Sequence, residues 1–435
     1  MKTTLLPCLA AFLVLVVGSR AENEYENAPI NYSETEPNDA AQRLERLMAS
    51  GKVKIDRTDA WSVLAGVMKE FGVLPESQTM VFSKTSKQND LISPRTPRIV
   101  YFGDNAYLGY SVGGAIEVST IDPKLGPIFY LLDPREEPSK PLHFQRDQSC
   151  LSCHGGPFTP EVPGVLVRSV FPGPEGHPIM SQGSTVVDTT TPFRDRWGGW
   201  YVTGRHGDVL HRGNVTAIEN KDQSVDIDFK LGANVTNLSK LFDTTPYKRK
   251  TSDIVALMVL EHQTSVQNVL TKANHTSLRA MHMQTSLQRE LGEKITPGPV
   301  GTARRIIDHC VLDALLFKDE AALPEGGIEG DPAFQTAFVK KAPQSSDGRS
   351  LKDFQLLNRL FKHRCSYMIY SLTFQHLTAP LKETVLARLW NVLDGKDASG
   401  SYAYLGESER SHIRRILAET LPGAPKEWKK TLAVK

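Results

Sequence analysis

The hydrophobic period of the chain changes once, near residue 250, and that change narrows the folds open to it. Before it, TMVFSK (79–84), RIVYFG (98–103), AYLGYSV (106–112), AIEVSTI (115–121) and PIFYLLD (127–133) are short runs of β-branched and aromatic residues, separated by Gly, Pro, Asn and Asp. Such runs read as a meander of strands. GVLVRSVF (164–171), GWYVTG (199–204) and SVDIDF (224–229) continue the pattern. After it the apolar spacing is helical over 251–291, 302–318, 351–378, 380–394 and 408–420, with loops at 295–301 and 321–332 that carry Pro and Gly. Two helices are also predicted ahead of the strands. One is capped by Asn38 or Asp39, places Leu44, Leu47 and Met48 on one face and stops at Gly51; the other covers 59–71. No repeat at solenoid or propeller periods is present. The expected fold class is therefore α+β, with a β-rich region over 22–245 and a mainly helical region over 246–435 packed against it.

Residues 1–21 read as a signal peptide: Lys2 is the positive segment, Leu5 to Val17 the apolar core, and Ser19-Arg20-Ala21 the small-x-small cleavage site. The apolar run is shorter than the roughly 20 residues a bilayer span needs. The mature chain is then 22–435, exported to the periplasm or cell envelope and soluble, with no strong membrane affinity. Loss of Lys2 and Arg20 takes Lys+Arg from 51 to 49, equal to the 49 Asp+Glu, so nothing calls for a nucleic-acid or anionic-membrane partner. Apolar residues at 40% and charged residues at 23% exclude a disordered chain and a multi-span membrane protein. Residues 22–39 hold six acids and no Lys or Arg and read as a solvated arm. The basic residues Arg414, Arg415, Lys426, Lys429, Lys430 and Lys435 read as a solvated face.

Cys150-Leu151-Ser152-Cys153-His154 is C-x-x-C-H, the string that attaches a c-type haem. Two intervening residues set the thiols about as far apart as the haem vinyl groups, so each forms a thioether. The adjacent imidazole then serves as the proximal ligand to iron. Covalent attachment also suits an exported protein, which would otherwise lose its cofactor to dilution. With 5 Cys and 12 His in the chain, composition alone would produce the string roughly two times in a thousand. A thioredoxin-like pair would need a βαβ context, and Gly155-Gly156-Pro157 opposes a long helix starting at the motif. A zinc site would need a second ligand pair, and Cys310 and Cys365 are isolated. A disulfide between Cys150 and Cys153 would be strained. No nucleotide-binding, zincin or serine-hydrolase motif is present. Cys310 and Cys365 fall on predicted helices; they either pair in an oxidising compartment or stay as buried thiols.

The chain resembles a group of exported bacterial proteins that carry a single cytochrome-c-type haem motif, the cytochrome c domain-containing proteins. The likeness runs through VFSKTS (81–86), ISPRTPRIVYF (92–102), GPIFYLLD (126–133), CLSCH (150–154), RWGGWYVTGRHG (196–207), HRGN (211–214) and SDIVALMVLEHQ (252–263). It implies one covalently attached haem c, iron, and redox work, but no substrate. Small soluble cytochromes c carry the motif near the start of a compact helical domain. Here residues 22–149 precede it and β patterning flanks it.

The sixth iron ligand decides the chemistry: a Met raises the potential, a second His lowers it, and an empty position permits substrate chemistry. Met180 follows the motif in a Gly- and Pro-rich loop. His206 and His211 lie in GRHGDVLHRGN, after Trp197, Trp200 and Tyr201, which are candidates to wall a haem face. Arg194, Arg196, Arg205 and Arg212 nearby are candidates for the haem propionates. His262 lies on the apolar face of a predicted helix, with Glu261 turned some 100° away from it. His143, His177, Met281 and Met283 are weaker candidates. The leading expectation is electron transfer with a redox partner protein or a small-molecule donor or acceptor. The alternatives are a haem-dependent oxidoreductase, peroxidase-like, with an open distal site, and a haem-bearing sensor or envelope protein.

Overall fold

The computed structural model describes residues 23–137, 140–296 and 310–432. The signal peptide expected over 1–21 and residues 302–309 of the helix expected over 302–318 lie outside them. The fold is α+β. Strands β1 (Thr79–Val81), β2 (Arg98–Gly103), β3 (Ala106–Tyr110), β4 (Ile116–Asp122), β5 (Gly126–Leu132) and β6 (Gln145–Arg146) pair in chain order as an antiparallel meander. A small hairpin of β7 (Arg168–Val170) and β8 (Ser184–Val186) follows. Strand β9 (Trp200–Tyr201) then returns to the far side of β1, so the seven-stranded sheet has the order β6-β5-β4-β3-β2-β1-β9. Local chemistry sets its turns. Between β4 and β5 the Asp122 carboxylate accepts from the backbone N–H of Lys124 and of Leu125, both at 2.7 Å.

Both faces of the sheet are buried, which explains why its strands read as continuous apolar runs. One face, with Ile99, Tyr101, Leu108, Val118, Ile128 and Tyr130, packs against α1 (Ala40–Ala49) and α2 (Ala60–Phe71). Asp39 caps α1 by accepting from Gln42 N at 3.0 Å. Its other carboxylate oxygen accepts from Thr120 Oγ1 and Tyr130 Oη, both at 2.7 Å, and so pins the helix start to β4 and β5. The opposite face, with Val81, Val100, Tyr107 and Phe129, packs against the 37-residue helix α4 (Ile254–Glu290). Asp253 caps α4 through Ala256 N. Residues 252–264 are buried all round, as a helix at the centre of a protein must be. Its buried polar side chains each bond a different neighbour. Gln263 donates to Gly103 O and Tyr107 Oη, His262 pairs with Ser366 Oγ, and Gln267 donates to Thr373 Oγ1. Such pairs specify neighbours that apolar packing alone would leave interchangeable. One apolar cluster runs from Val81 to Trp428, so the helical half and the β half share a core across residue 246.

Several predicted elements are shorter than expected. Of 164–171, 199–204 and 224–229, only Arg168–Val170, Trp200–Tyr201 and Val225–Asp226 are strand. The segment 351–378 is not a long helix. It holds a bridge between Phe354 and Phe361, a 3-10 turn at Tyr367–Tyr370 and a helical turn at Leu372–Gln375. Its helical spacing is overridden by aromatic packing: Phe354 stacks on Phe361 at 5.5 Å, and Phe338 meets Phe354 at 5.4 Å and Tyr367 at 5.2 Å. Phe338 belongs to a helix, Pro332–Val339, that was not expected beyond the loop at 321–332; Asp331 caps it and Pro332 opens it. Residues 22–39 are not a solvated arm where they are described. Tyr25, Ile30 and Tyr32 are buried against the sheet, and Tyr32 Oη donates to Pro127 O at 2.7 Å. Arg414 is likewise buried, bonded to Glu407.

Candidate functional site

Asp147 starts the motif segment. Its carboxylate accepts from Ser149 N at 3.0 Å and Ser149 Oγ at 2.6 Å, capping a 3-10 turn over Gln148–Cys150 that runs into the helical turn α3 (Leu151–His154). The chain then loops back on itself. Gly164 N donates to His154 O at 2.8 Å. His154 Nδ1 donates to Gly164 O at 2.9 Å. The next residue is clamped by α4: Asn268 Oδ1 accepts from Val165 N at 3.0 Å, and Asn268 Nδ2 donates to Val165 O at 2.7 Å. A Cβ on Gly164 would sit 2.5 Å from Asn268 Oδ1 and 2.8 Å from Thr159 Cβ, so only glycine fits this crossing. The buried N-terminal segment also reaches the motif, since a Cβ on Gly155 would lie 2.4 Å from Tyr25 Oη.

Cys150, Cys153 and His154 line one cavity of about 540 Å³ between the sheet, α4 and β7, a volume in the range of cofactor sites. Its walls are apolar, with Val100, Phe129, Val165, Trp200 and Leu260. Phe129 packs on the His154 ring at 4.9 Å. The rim is charged, with Lys84, Lys87, Arg98, Glu117 and Arg168. Arg98 pairs with Glu117 across the middle strand. Gly109 stands between them, where a Cβ would be 3.1 Å from Glu117 Oε2. Ser86 Oγ and Gln88 Nε2 also donate to Glu117, at 2.5 and 3.0 Å. Burial alone would raise the Glu117 carboxyl, but Arg98 and these two donors outweigh it and hold it below the usual range.

The same environment acts on the motif residues. Burial holds the His154 imidazole below its ordinary value against the opposing bond to Gly164, so the ring is neutral near pH 7. Because Nδ1 carries the proton bonded to Gly164 O, the lone pair is on Nε2, the tautomer a metal-ligating histidine needs. Burial, reinforced by the Asp147 and Glu117 carboxylates, pushes the Cys150 thiol up to about 12. A thiol held protonated is ill suited to disulfide exchange. Both motif cysteines are free thiols. Among the described residues no three His, Cys, Asp or Glu side chains converge as a metal-ion site. An Nε2 lone pair, two thiols, apolar walls and a rim of four cations and one carboxylate are a set that would suit a haem.

The other predicted site residues lie elsewhere. His206 and His211 do pack together, with ring centroids 4.7 Å apart, alongside Phe193 and Trp197, but this cluster does not line the cavity. Both nitrogens of His206 are committed, Nδ1 to Val209 O and Nε2 to Asn234 N. His211 Nδ1 accepts from Gly213 N, and burial pulls its ring down to about 3. His262 bonds Ser366 and stacks on Phe317 at 4.3 Å, away from the cavity that its neighbours Leu260 and Thr264 line. Met180 is 83% exposed, in a separate groove with His177. His143 pairs with Glu45 at the surface, Met283 is exposed, and Met281 stands against Ser277 on α4. Of the aromatic cluster, Trp200 alone lines the cavity, and Trp197 instead donates to Glu261. Arg196 also pairs with Glu261, Arg194 and Arg212 face Asp195, and Arg205 faces Glu329. Cys365 is a buried free thiol, not bridged to the exposed Cys310. The sequence reading missed Arg98, Glu117, Arg168 and Asn268. The alternation of β2 and β4 put Arg98 and Glu117 on one face, but nothing local said which face meets the motif.

No protein-family model matches the chain, and comparisons with curated proteins and with solved structures find no match. No helix among the described residues is long and apolar enough to cross a membrane.

Proposed function

We propose that the chain is an exported c-type haem protein, in which Cys150 and Cys153 would anchor the haem as thioethers, His154 would ligate its iron, and the bound haem would do redox work on a small exogenous ligand. The observation that carries the reading is His154. Its Nδ1–H is tied to Gly164 O, its ring is held neutral, and it lines one cavity with both thiols. A haem bound there supplies one-electron chemistry and an exchangeable ligand position. The chain's own part is to orient the imidazole through Gly164, Val165 and Asn268, to exclude water with Phe129, Trp200 and Leu260, and to hold charge at the rim through Arg98 and Glu117.

Electron transfer at a closed six-coordinate iron is the competing reading. The placement of His206, His211, His262 and Met180 outside the cavity favours the open site, and with it an oxidoreductase that takes a small exogenous ligand. The test is an absorption spectrum of the mature protein made in cells with cytochrome c maturation machinery, recorded oxidised, reduced, and reduced with carbon monoxide, after acid extraction of non-covalent haem. Covalent haem that binds carbon monoxide at once is the expected result. Covalent haem without a carbon monoxide shift returns the reading to electron transfer. No covalent haem in the wild type, or retention unchanged by Cys150→Ser and Cys153→Ser, overturns haem attachment.

A further inference from the structure

The charges around the cavity do not balance. Of its four cations, Arg98 is paired with Glu117 and Lys87 with Asp147. Arg168 and Lys84 have no acidic partner among the described residues. The Arg168 guanidinium makes no side-chain hydrogen bond there; it lies 5.1 Å over the Phe158 ring, which backs one face and leaves its edge donors free. Lys84 Nζ reaches only Asn89 O, at 3.2 Å, and keeps two donors unused. Two uncompensated cations at the rim of an apolar slot are the complement of a flat apolar molecule bearing two carboxylates. We infer that Arg168 and Lys84 receive the two porphyrin carboxylates of a haem held in this cavity. The inference rests on the haem reading, and it moves the carboxylate contacts away from Arg194, Arg196, Arg205 and Arg212, whose carboxylate neighbours are protein side chains.

The physical expectation is that charge-assisted contacts, one of them to a planar guanidinium, add affinity over apolar burial alone. The test uses the full mature chain made without maturation machinery. It is titrated with metal-free protoporphyrin IX and, separately, with its dimethyl ester, and followed by quenching of tryptophan emission, to which Trp200 in the cavity wall contributes. Omitting iron removes ligation by His154 from the measurement. The diacid should bind at least about tenfold more tightly than the ester. Arg168→Gln and Lys84→Gln should each weaken the diacid about five- to tenfold and leave the ester unchanged, and Arg168→Lys should recover most of the loss. Equal binding of diacid and ester, loss of less than about twofold in both Gln variants, or no binding of either porphyrin overturns the inference. Failure of the haem reading itself shows separately, as absence of covalent haem in wild-type protein from maturation-competent cells.

Discussion

Replacing Asn268 by Ala removes the link between α4 and the loop that orients His154. Asn268 makes two hydrogen bonds, from Val165 N at 3.0 Å and to Val165 O at 2.7 Å, and both Val165 groups are buried with no other partner among the described residues. Each buried backbone group left unsatisfied costs about 1–3 kcal/mol, so Asn268→Ala should lose about 2–6 kcal/mol, toward the lower end where water enters the vacated space. The assay is urea unfolding of the mature chain at pH 7, read as a lower midpoint at unchanged m. Hydrogen exchange at the Val165 amide gives the local readout, and its protection should fall in step. Asn268→Asp separates the two bonds, because it keeps an acceptor for Val165 N but sets an oxygen against Val165 O. Burial raises that carboxyl above its unfolded value. The protonated form restores the donor, so the variant should regain stability as pH falls and lose it as pH rises through the raised value. A loss below about 1 kcal/mol in Asn268→Ala with the Val165 amide still protected would refute the argument that α4 holds this loop.

Glu261→Gln leaves the Arg196 guanidinium, 3% exposed, without its carboxylate, and should cost about 3–5 kcal/mol by thermal or urea unfolding. A paired Arg196→Met, Glu261→Leu variant should recover much of that loss. Gly164→Ala should destabilise by about 1–3 kcal/mol, because its methyl would overlap Asn268 and Thr159; wild-type stability in this variant would show that the crossing is looser than its geometry. Burial lowers His211 and His262 to about 3 and His275 and His363 to about 4. All four lie below the ordinary histidine value, so the stability they contribute is complete above about pH 6.5 and falls as the unfolded chain takes up protons first. Glu261 and Asp253, which burial raises to about 7, oppose this by losing stability as pH rises. The histidines outnumber them, so unfolding measured between pH 6.5 and 5 should show stability falling by on the order of 2–3 kcal/mol per pH unit; a flat or rising profile would contradict neutral buried imidazoles.

What could be read from the amino-acid order is what depends on near neighbours along the chain. The caps Asp39 and Asp59 act on N–H groups three residues on, Gly72 ends its helix in a left-handed turn with φ 66°, and the C-x-x-C-H string sets its own thiols and imidazole within one helical turn. The short β-branched and aromatic runs of β2 to β5 and the long helix at Ile254–Glu290 belong to the same class. The contents of the cavity do not. Arg98 and Glu117 meet across β3, Asn268 reaches Val165 over 103 residues, and Arg168 lies over Phe158 with no acidic partner among the described residues. His206 and His211 carry the right chemistry in the right neighbourhood of the sequence, yet both His206 nitrogens are taken by Val209 and Asn234, and His211, its Nδ1 bonded to Gly213 N, is buried beside Phe193 and Trp197 outside the cavity. The helical spacing of 351–378 lost to the packing of Phe338, Phe354, Phe361 and Tyr367, and the acidic segment before α1 is held by Tyr25, Ile30 and Tyr32. Spacing and capping are settled over a few residues of chain, whereas desolvation, charge pairing and the choice of sheet face are settled by groups that only folding brings within a few ångströms.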